Sequence, residues 1–338
     1  MWTNQHHLLT KFNMHHFFTA LLLAAPLAAQ TPKITALVSA ADSQPRIAVG
    51  GLGSIYGVNL AAGNSAAAGA PWPTKLGDTE VWICGSPIVV ERCVFAGLTY
   101  ASPTQINFYV PGTIDALETQ SIIIRRQDMP ESVAGATAQA YPFRFDQAAP
   151  RIFFMGYDCL IDGRYPDANR NCGLSSTRPP TQSSVRGAVT DVQGRLLTSS
   201  NPARVGQYYT LWMTGLGAFM NGVPGATFRL LLTNAPLNTS PRAQTVTYAI
   251  TPSFIGSSAQ FPGLYQVNFQ LPTRVVDGTG ATADGRGGTE SPFPCGEYSW
   301  EVQIETQQTD GTLGVTTIAN VVSLPIKVFI GDVPNCGK

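Results

Sequence analysis

Imidazole chemistry is the first to be bounded. The 338-residue chain has four histidines, His6, His7, His15 and His16, all in its first sixteen residues. A Ser-His-Asp or Cys-His site needs an imidazole to take a proton near neutral pH. The His-containing zinc sites of hydrolases need one as a ligand. If the N-terminal segment is removed, no histidine is left to do either. The sequence also lacks a G-x-S-x-G elbow, a Walker loop and a dinucleotide-binding fingerprint.

Carboxylates pass this test. Asp158, Asp162 and Asp167 lie close in sequence, and Glu297, Glu301 and Glu305 line one strand region. A glycosidase needs two carboxylates about 5–10 Å apart across a cleft. Glu301 and Glu305 would share one face of an extended strand. Alternation with Val302 and Ile304 makes a solvated strand face the simpler account. A carboxylate-dependent glycoside hydrolase therefore stands as the second alternative function.

The polar segment DCLIDGRYPDANRNCG (158–173) carries Asp167, Asn169 and Asn171 at alternate positions, the ligand spacing of a calcium loop. Gly173 falls one place late, and Arg178 stands where the closing acid would be. A surface loop of ordinary turn residues explains the same pattern. Calcium is the one cofactor with any candidate ligands, and none other is expected.

Aromatic residues offer binding instead of catalysis. Trp72 sits in the Pro-bounded loop APWPTKLG (70–77), and Tyr157 and Tyr165 border the polar segment. Exposed rings can stack on sugars or anchor a protein partner. Whether Trp72 faces the core or solvent is open. Trp82, Trp212 and Trp300 lie within strand patterns and are read as core.

Six cysteines remain: Cys84, Cys93, Cys159, Cys172, Cys295 and Cys336. An even count in an exported chain points to disulfides, with fifteen pairings open to six thiols. Nearest-neighbour pairing is the economical choice: Cys84–Cys93, Cys159–Cys172 and Cys295–Cys336.

Export is read from FFTALLLAAPLAA (17–29), an apolar run after Lys11 that ends in small residues before Gln30. It has the order of a secretory signal peptide, with cleavage expected after Ala29. It is shorter than the roughly twenty residues a membrane span needs, and no later run is long enough. The expected location is therefore periplasmic, secreted or cell-surface.

These side chains need a frame, and nearly every structured segment reads as strand. Segments such as TEVWIC (79–84), QINFYVP (105–111), QSIIIRR (120–126), YYTLWMTG (208–215) and YQVNFQLP (265–272) are rich in β-branched and aromatic residues. Several alternate apolar with polar, as half-buried strands do. The 33 glycines and 25 prolines punctuate them. Charged residues are 12% of the chain with zero formal net charge, so composition favours no nucleic-acid partner. Many short strands between such turns imply an all-β sandwich architecture.

The pattern occurs twice. SIYGVNLAAG (54–63) precedes QINFYVP, and TLWMTGLGAF (210–219) precedes QVNFQLP. Gly57 precedes Gln105 by 48 residues, and Gly215 precedes Gln266 by 51. This implies a tandem duplication. The expected units are 30–147 and 148–338 after a signal peptide at 1–29. The second unit would carry insertions at 157–186 and 277–294. Asn107 and Asn268 are expected to hydrogen-bond backbone across each sandwich. Gly57 and Gly215 are expected to supply backbone angles that other residues avoid.

GGLGSIYGVNLA (50–61), PTKLGDTEVWICGSP (73–87) and YASPTQINFYVP (100–111) resemble the Solibacter uncharacterized C-terminal domain family of exported acidobacterial proteins. AAPRIFF (148–154), AVTDVQGRLLTSSNPARVGQYYTLWMTGLG (188–217) and GLYQVNFQLP (263–272) continue the likeness in order. SIYGVNL and WMTGLG also resemble the strand-turn-strand of IPT/TIG domains. The resemblance implies two immunoglobulin-like sandwiches and brings no catalytic residues. The cysteines and the 157–186 segment depart from the family pattern. Together these readings imply a secreted, non-catalytic adhesion or binding scaffold. A carbohydrate-binding module using Trp72, Tyr157 and Tyr165 is the first alternative. The partner would be an extracellular protein or polysaccharide.

Overall fold

Alternating β-branched and aromatic residues become strands wherever the chain is described. The computed structural model describes residues 31–116, 118–127, 140–159, 183–198, 201–220, 227–235, 247–276, 290–292, 297–307, 315–319 and 327–329. The expected leader, Tyr165, Asp167, Asn169 and Asn171 lie outside the described residues. The fold is all-β, with antiparallel pairing between every named strand pair.

One sheet runs, in spatial order, Lys33–Ser39, Leu52–Val58, Gln105–Tyr109, Gly97–Ala101 and Ser65–Ala66. A second runs Tyr141–Arg144, Thr119–Arg126, Thr79–Cys84 and Lys75–Leu76, with Val94–Phe95 also paired to Thr79–Cys84. Period two decides what lies between them. Ile106 and Phe108 are fully buried, while Gln105, Asn107 and Tyr109 on alternate positions are not. Leu37, Ile55, Ile106 and Phe108 meet Val81, Ile83 and Ile122 in one core. Burying a side chain such as Phe108 stabilises by about 1.5–3 kcal/mol.

A second large core forms from later residues. Arg151–Ile152, Tyr208–Thr214, Phe261–Gln270 and Pro252–Ser258 make one sheet, with Val189–Asp191 also on Tyr208–Thr214. Thr247–Ile250, Thr227–Ala235, Glu297–Gln307 and Val315–Ala319 make its facing sheet, with Lys327–Phe329 also on Glu297–Gln307. Leu211, Met213, Val267 and Phe269 pack with Leu230, Leu232 and Val302. Two further short ribbons form. Phe154–Cys159 pairs with Ser183–Gly187, and Arg274–Val276 with Glu290–Pro292.

Thr31 onward forms one compact unit, and the stretch between the two cores is not an exposed linker. Ala148 and Ala149 are buried. Ala48 bridges Asp146 in parallel, and the Ala149 N–H donates to the Gly215 carbonyl at 2.9 Å. Gly215 has φ +81°, and a Cβ there would fall 1.9 Å from the Ala149 oxygen. Thr214 is 2% exposed and satisfies both sides of the seam. Its hydroxyl accepts the Leu52 N–H at 2.9 Å and donates to the Gly263 carbonyl at 2.7 Å. The Tyr265 hydroxyl donates to the Gly50 carbonyl at 2.8 Å, and burial pushes its pKa far above the usual phenol range.

Two ion pairs also lie at this seam, one partly exposed and one buried. Arg46 donates to both Asp146 carboxylate oxygens at 3.1 Å. Arg151 Nε lies 3.2 Å from Asp42 Oδ2, with both side chains buried, but without hydrogen-bond geometry at that nitrogen. Burial pushes the Asp42 carboxyl up against the opposing pull of Arg151. A buried pair of this kind is weak as a source of stability. Its physical consequence is that loss of either partner leaves a charge stranded.

Candidate binding surface

Period two leaves the alternate residues of each central strand on the sheet's outer side. In the first sheet, Tyr56 pairs with Gln105, Ser54 with Asn107, and Tyr100 with Asn107 from the other side. In the later sheet, Trp212 pairs with Gln266, Thr210 with Asn268, and Phe254 with Asn268 from the other side. The same set thus stands twice: two amides two residues apart, a hydroxyl, and an aromatic residue on each flanking strand. Both third strands also carry a bulge next to that aromatic, between Leu98 and Tyr100 and between Pro252 and Phe254. Bulges re-aim side chains locally.

The hydrogen bonds repeat as well. Asn107 Oδ1 accepts from Ser54 Oγ at 2.9 Å and Gln105 Nε2 at 2.8 Å. Asn268 Oδ1 accepts from Thr210 Oγ1 and Gln266 Nε2, both at 2.9 Å. These asparagines therefore do not reach across a sandwich to backbone, contrary to the sequence expectation. They are half-buried on the outer faces and bond neighbouring side chains.

The rings are held in place. Trp212 donates its indole N–H to Thr190 Oγ1 at 3.2 Å. It is half-buried on the outer side, because Tyr209, Leu211 and Met213 take the core positions of its strand. The core expectation for Trp212 is corrected accordingly. Phe254 is 48% exposed, and the far end of its ring occupies the space a Cβ on Gly256 would need. A larger residue at 256 would make the Phe254 ring move. Tyr56 is 37% exposed.

Trp72 is neither free nor in a core. Its indole N–H donates to the Pro262 carbonyl at 3.1 Å, and its ring lies 5.5 Å from that of Phe261. Gly97 clears room for it, since a Cβ there would fall 2.8 Å from Trp72 Cβ. The rigid Pro-bounded loop thus ties the first sheet to the later hairpin, and one edge of the indole is used up. Tyr157 lies on the backbone of Phe154–Cys159, opposite Val185.

A disulfide links Cys84 and Cys93. It closes a flap over Trp82, which is 7% exposed, packs edge-on against Phe95 at 5.2 Å, and lies under Arg125 at 4.5 Å. Trp82, Cys84 and Ile123 form a small cluster of their own on the outside of the second sheet. A cleft of about 290 Å³ beside the flap is lined by exposed Arg92, Asp115 and Glu118. Cys159 is placed on the backbone of its ribbon strand, while Cys172, Cys295 and Cys336 lie outside the described residues.

Of the carboxylate candidates, Glu297, Glu301 and Glu305 are on one long strand, opposite Ala235, Leu231 and Thr227. These positions are out of phase with the buried Val302. Asp158 lies on the Phe154–Cys159 ribbon strand, opposite Ser184, and Asp162 lies outside the described residues. Among the described residues no three His, Cys, Asp or Glu side chains converge as a metal site. Among them, too, no helix is long and apolar enough to cross a membrane.

The repeated glycines were a poor guide to the repeated surface. Tyr56 and Trp212 are the equivalent positions, each opposite the first amide, so Gly57 and Gly215 do not correspond. Gly57 is in a strand where a Cβ would fall 2.1 Å from the Lys33 carbonyl oxygen. Only Gly215 of the two takes a positive φ. The Q-x-N triplets, present in both halves, were the signal for the surface; its flanking rings required the register.

No protein-family model matches the chain, and no curated protein matches it. Among solved structures, the chain is similar to FdeC, a broadly conserved Escherichia coli adhesin, at 11% identity and a TM-score of 0.23. That likeness covers 88% of this chain and 63% of the other. It is similar to the surface glycan-binding protein PbSGBP-B from Prevotella bryantii at 10% identity and a TM-score of 0.21, covering 82% of this chain and 40% of the other. The chain spans less than two thirds of either protein. TM-scores of this size establish no shared function.

Proposed function

We propose that this chain is an exported, non-catalytic binding protein that acts in the extracellular or cell-surface space. In this reading it is two tandem immunoglobulin-like sandwiches after a cleaved leader, and a member of the Solibacter family that its sequence resembles. The observation that carries the binding role is the duplicated outer surface. Two hydroxyl–amide sets, each flanked by aromatics, recur at equivalent registers on two sheets. The cores explain the inward residues of these strands; they do not demand the same outward ones twice. A rigid sandwich presenting such side chains is suited to recognition. The Cys84–Cys93 link supports an oxidising compartment.

Native-leader expression with cell fractionation, followed by binding to envelope and culture-medium polymers, tests the reading. The mature chain should appear outside the cytoplasm without residues 1–29 and should be retained by at least one envelope or secreted polymer. Cytoplasmic retention with an intact N-terminus, or no retention on any fraction, would overturn it.

A further inference from the structure

The polar atoms left over on the duplicated surface say what it would take. Asn107 Oδ1 already accepts two hydrogen bonds, from Ser54 and Gln105. That arrangement turns Asn107 Nδ2, with two donor hydrogens, and Gln105 Oε1, an acceptor, away from each other's use. Neither atom has a protein partner among the described residues. Asn268 Nδ2 and Gln266 Oε1 are left in the same condition by the same pair of bonds. Each surface therefore offers one donor and one acceptor next to each other, fixed in orientation by the hydroxyl beneath.

We propose that these two surfaces are binding sites for a neutral polysaccharide, a proposal that rests on the binding role above. Neighbouring hydroxyls of a pyranose can each donate and accept, so they match a fixed donor–acceptor pair. The C–H face of the same ring is apolar and stacks on aromatic side chains. Tyr56 and Tyr100 flank the first amide pair, and Trp212 and Phe254 the second. Phe254 and Tyr56 are the more exposed of these rings, at 48% and 37%.

Charge selects the class of chain. The paired positions around the first set are Val38, Ser54, Asn107, Tyr100 and Ala66, with Ala36, Tyr56 and Gln105 in the next row. Around the second they are Thr190, Thr210, Asn268 and Phe254, with Trp212, Gln266 and Gly256 in the next row. None is acidic or basic. An anionic or cationic chain would lose hydration on such a surface without gaining an ion pair. An uncharged chain pays no such penalty.

Position argues against an extended peptide as the occupant. Peptides that pair with sheets add at a free edge. Gln105–Tyr109 and Phe261–Gln270 each have a paired strand on both sides, so their amides stand in the middle of a face. Two sites of one kind on one chain also suit a polymer of repeating units, since a second contact becomes intramolecular.

Affinity electrophoresis of the full mature chain tests the proposal, with hydroxyethyl cellulose, glucomannan and soluble starch as neutral probes and alginate as the anionic one. The wild-type chain should be retarded by at least one neutral polysaccharide and not by alginate. The double variant Tyr56→Ala/Phe254→Ala should bind at least tenfold more weakly. Neither side chain contributes to a core, so its near-ultraviolet circular dichroism and thermal midpoint should stay close to wild type. The near-isosteric pair Gln105→Leu/Gln266→Leu should lose binding to a similar degree, and Phe254→Tyr should keep it. Unchanged retardation of both double variants, or equal retardation by alginate, overturns the proposal. A wild-type chain that ignores all three neutral polysaccharides but is retained by an envelope protein overturns the polysaccharide assignment and leaves the binding role standing. A wild-type chain retained by nothing overturns both.

Discussion

Replacing Thr214 by Val tests whether the seam between the two cores is held by satisfied polar groups. The two side chains are nearly the same size, so the substitution leaves shape alone and removes one hydroxyl. Thr214 is 2% exposed, so water does not take its place. The Leu52 N–H, now bonded at 2.9 Å, loses its acceptor, and the Gly263 carbonyl, now bonded at 2.7 Å, loses its donor. An orphaned buried group costs about 1–3 kcal/mol. Two such groups, with partial relaxation, place the loss at about 3 kcal/mol. Urea unfolding followed by tryptophan fluorescence reads it directly. Thr210→Val is the matched control, because that hydroxyl lies on an outer face and bonds a side chain, Asn268. It should cost less than about 1 kcal/mol. Thr214→Ser keeps both bonds and should recover most of the loss. A Thr214→Val variant within about 0.5 kcal/mol of wild type, or one no worse than Thr210→Val, would refute the account of the seam.

Gly215→Ala places a Cβ 1.9 Å from the Ala149 oxygen on a backbone of φ +81°. It should cost about 3 kcal/mol or more, visible as a fall in the thermal midpoint or as insoluble expression. Cys84→Ser/Cys93→Ser removes a link of sequence separation 9 and should cost about 2–3 kcal/mol in urea unfolding. Wild type treated with a reductant should move toward the variant, and the variant should not respond. Burial alone would raise the Asp78 carboxyl, but the Ala62 N–H, the Thr79 hydroxyl and Arg126 outweigh it and hold the pKa below 3.8. A depressed folded-state pKa gives stability that is present above 3.8 and lost as pH falls through and below it. Asp78→Asn should therefore flatten the acid side of the stability profile, and an unchanged slope below about pH 4 would count against this role.

Much of the fold was legible because period two is a local property. QINFYVP and YYTLWMTG each announce an alternating strand, and Ile106, Phe108, Leu211 and Met213 are buried as alternation requires. Pro252–Ser258 was not legible: PSFIGSS carries three serines and a glycine, and it is a strand because its partner, Phe261–Gln270, is. Trp212 misled for a related reason. Tryptophan in a strand suggests a core, but phase decides the face, and Leu211 and Met213 hold the inward phase. Trp72 could not be placed at all from its loop, since its partners are 190 residues away at Pro262 and Phe261.

The candidate site divides the same way. The amides Gln105, Asn107, Gln266 and Asn268 are visible in the sequence as repeated triplets. That Tyr56, Tyr100, Trp212 and Phe254 stand beside them depends on register between strands, and register is set by which faces the cores bury. By itself the sequence determined the all-β class, the recurrence of the Q-x-N triplets, the absence of histidine beyond residue 16 and the alternation that buries each core. Those follow from composition and from the two-residue period of a strand. Only the tertiary structure decided that Thr214, Gly215, Tyr265 and Trp72 join the two halves. Only it put aromatic rings on both sides of each amide pair. Contacts across 49 to 215 residues are decided by packing, and no local pattern in the chain encodes them.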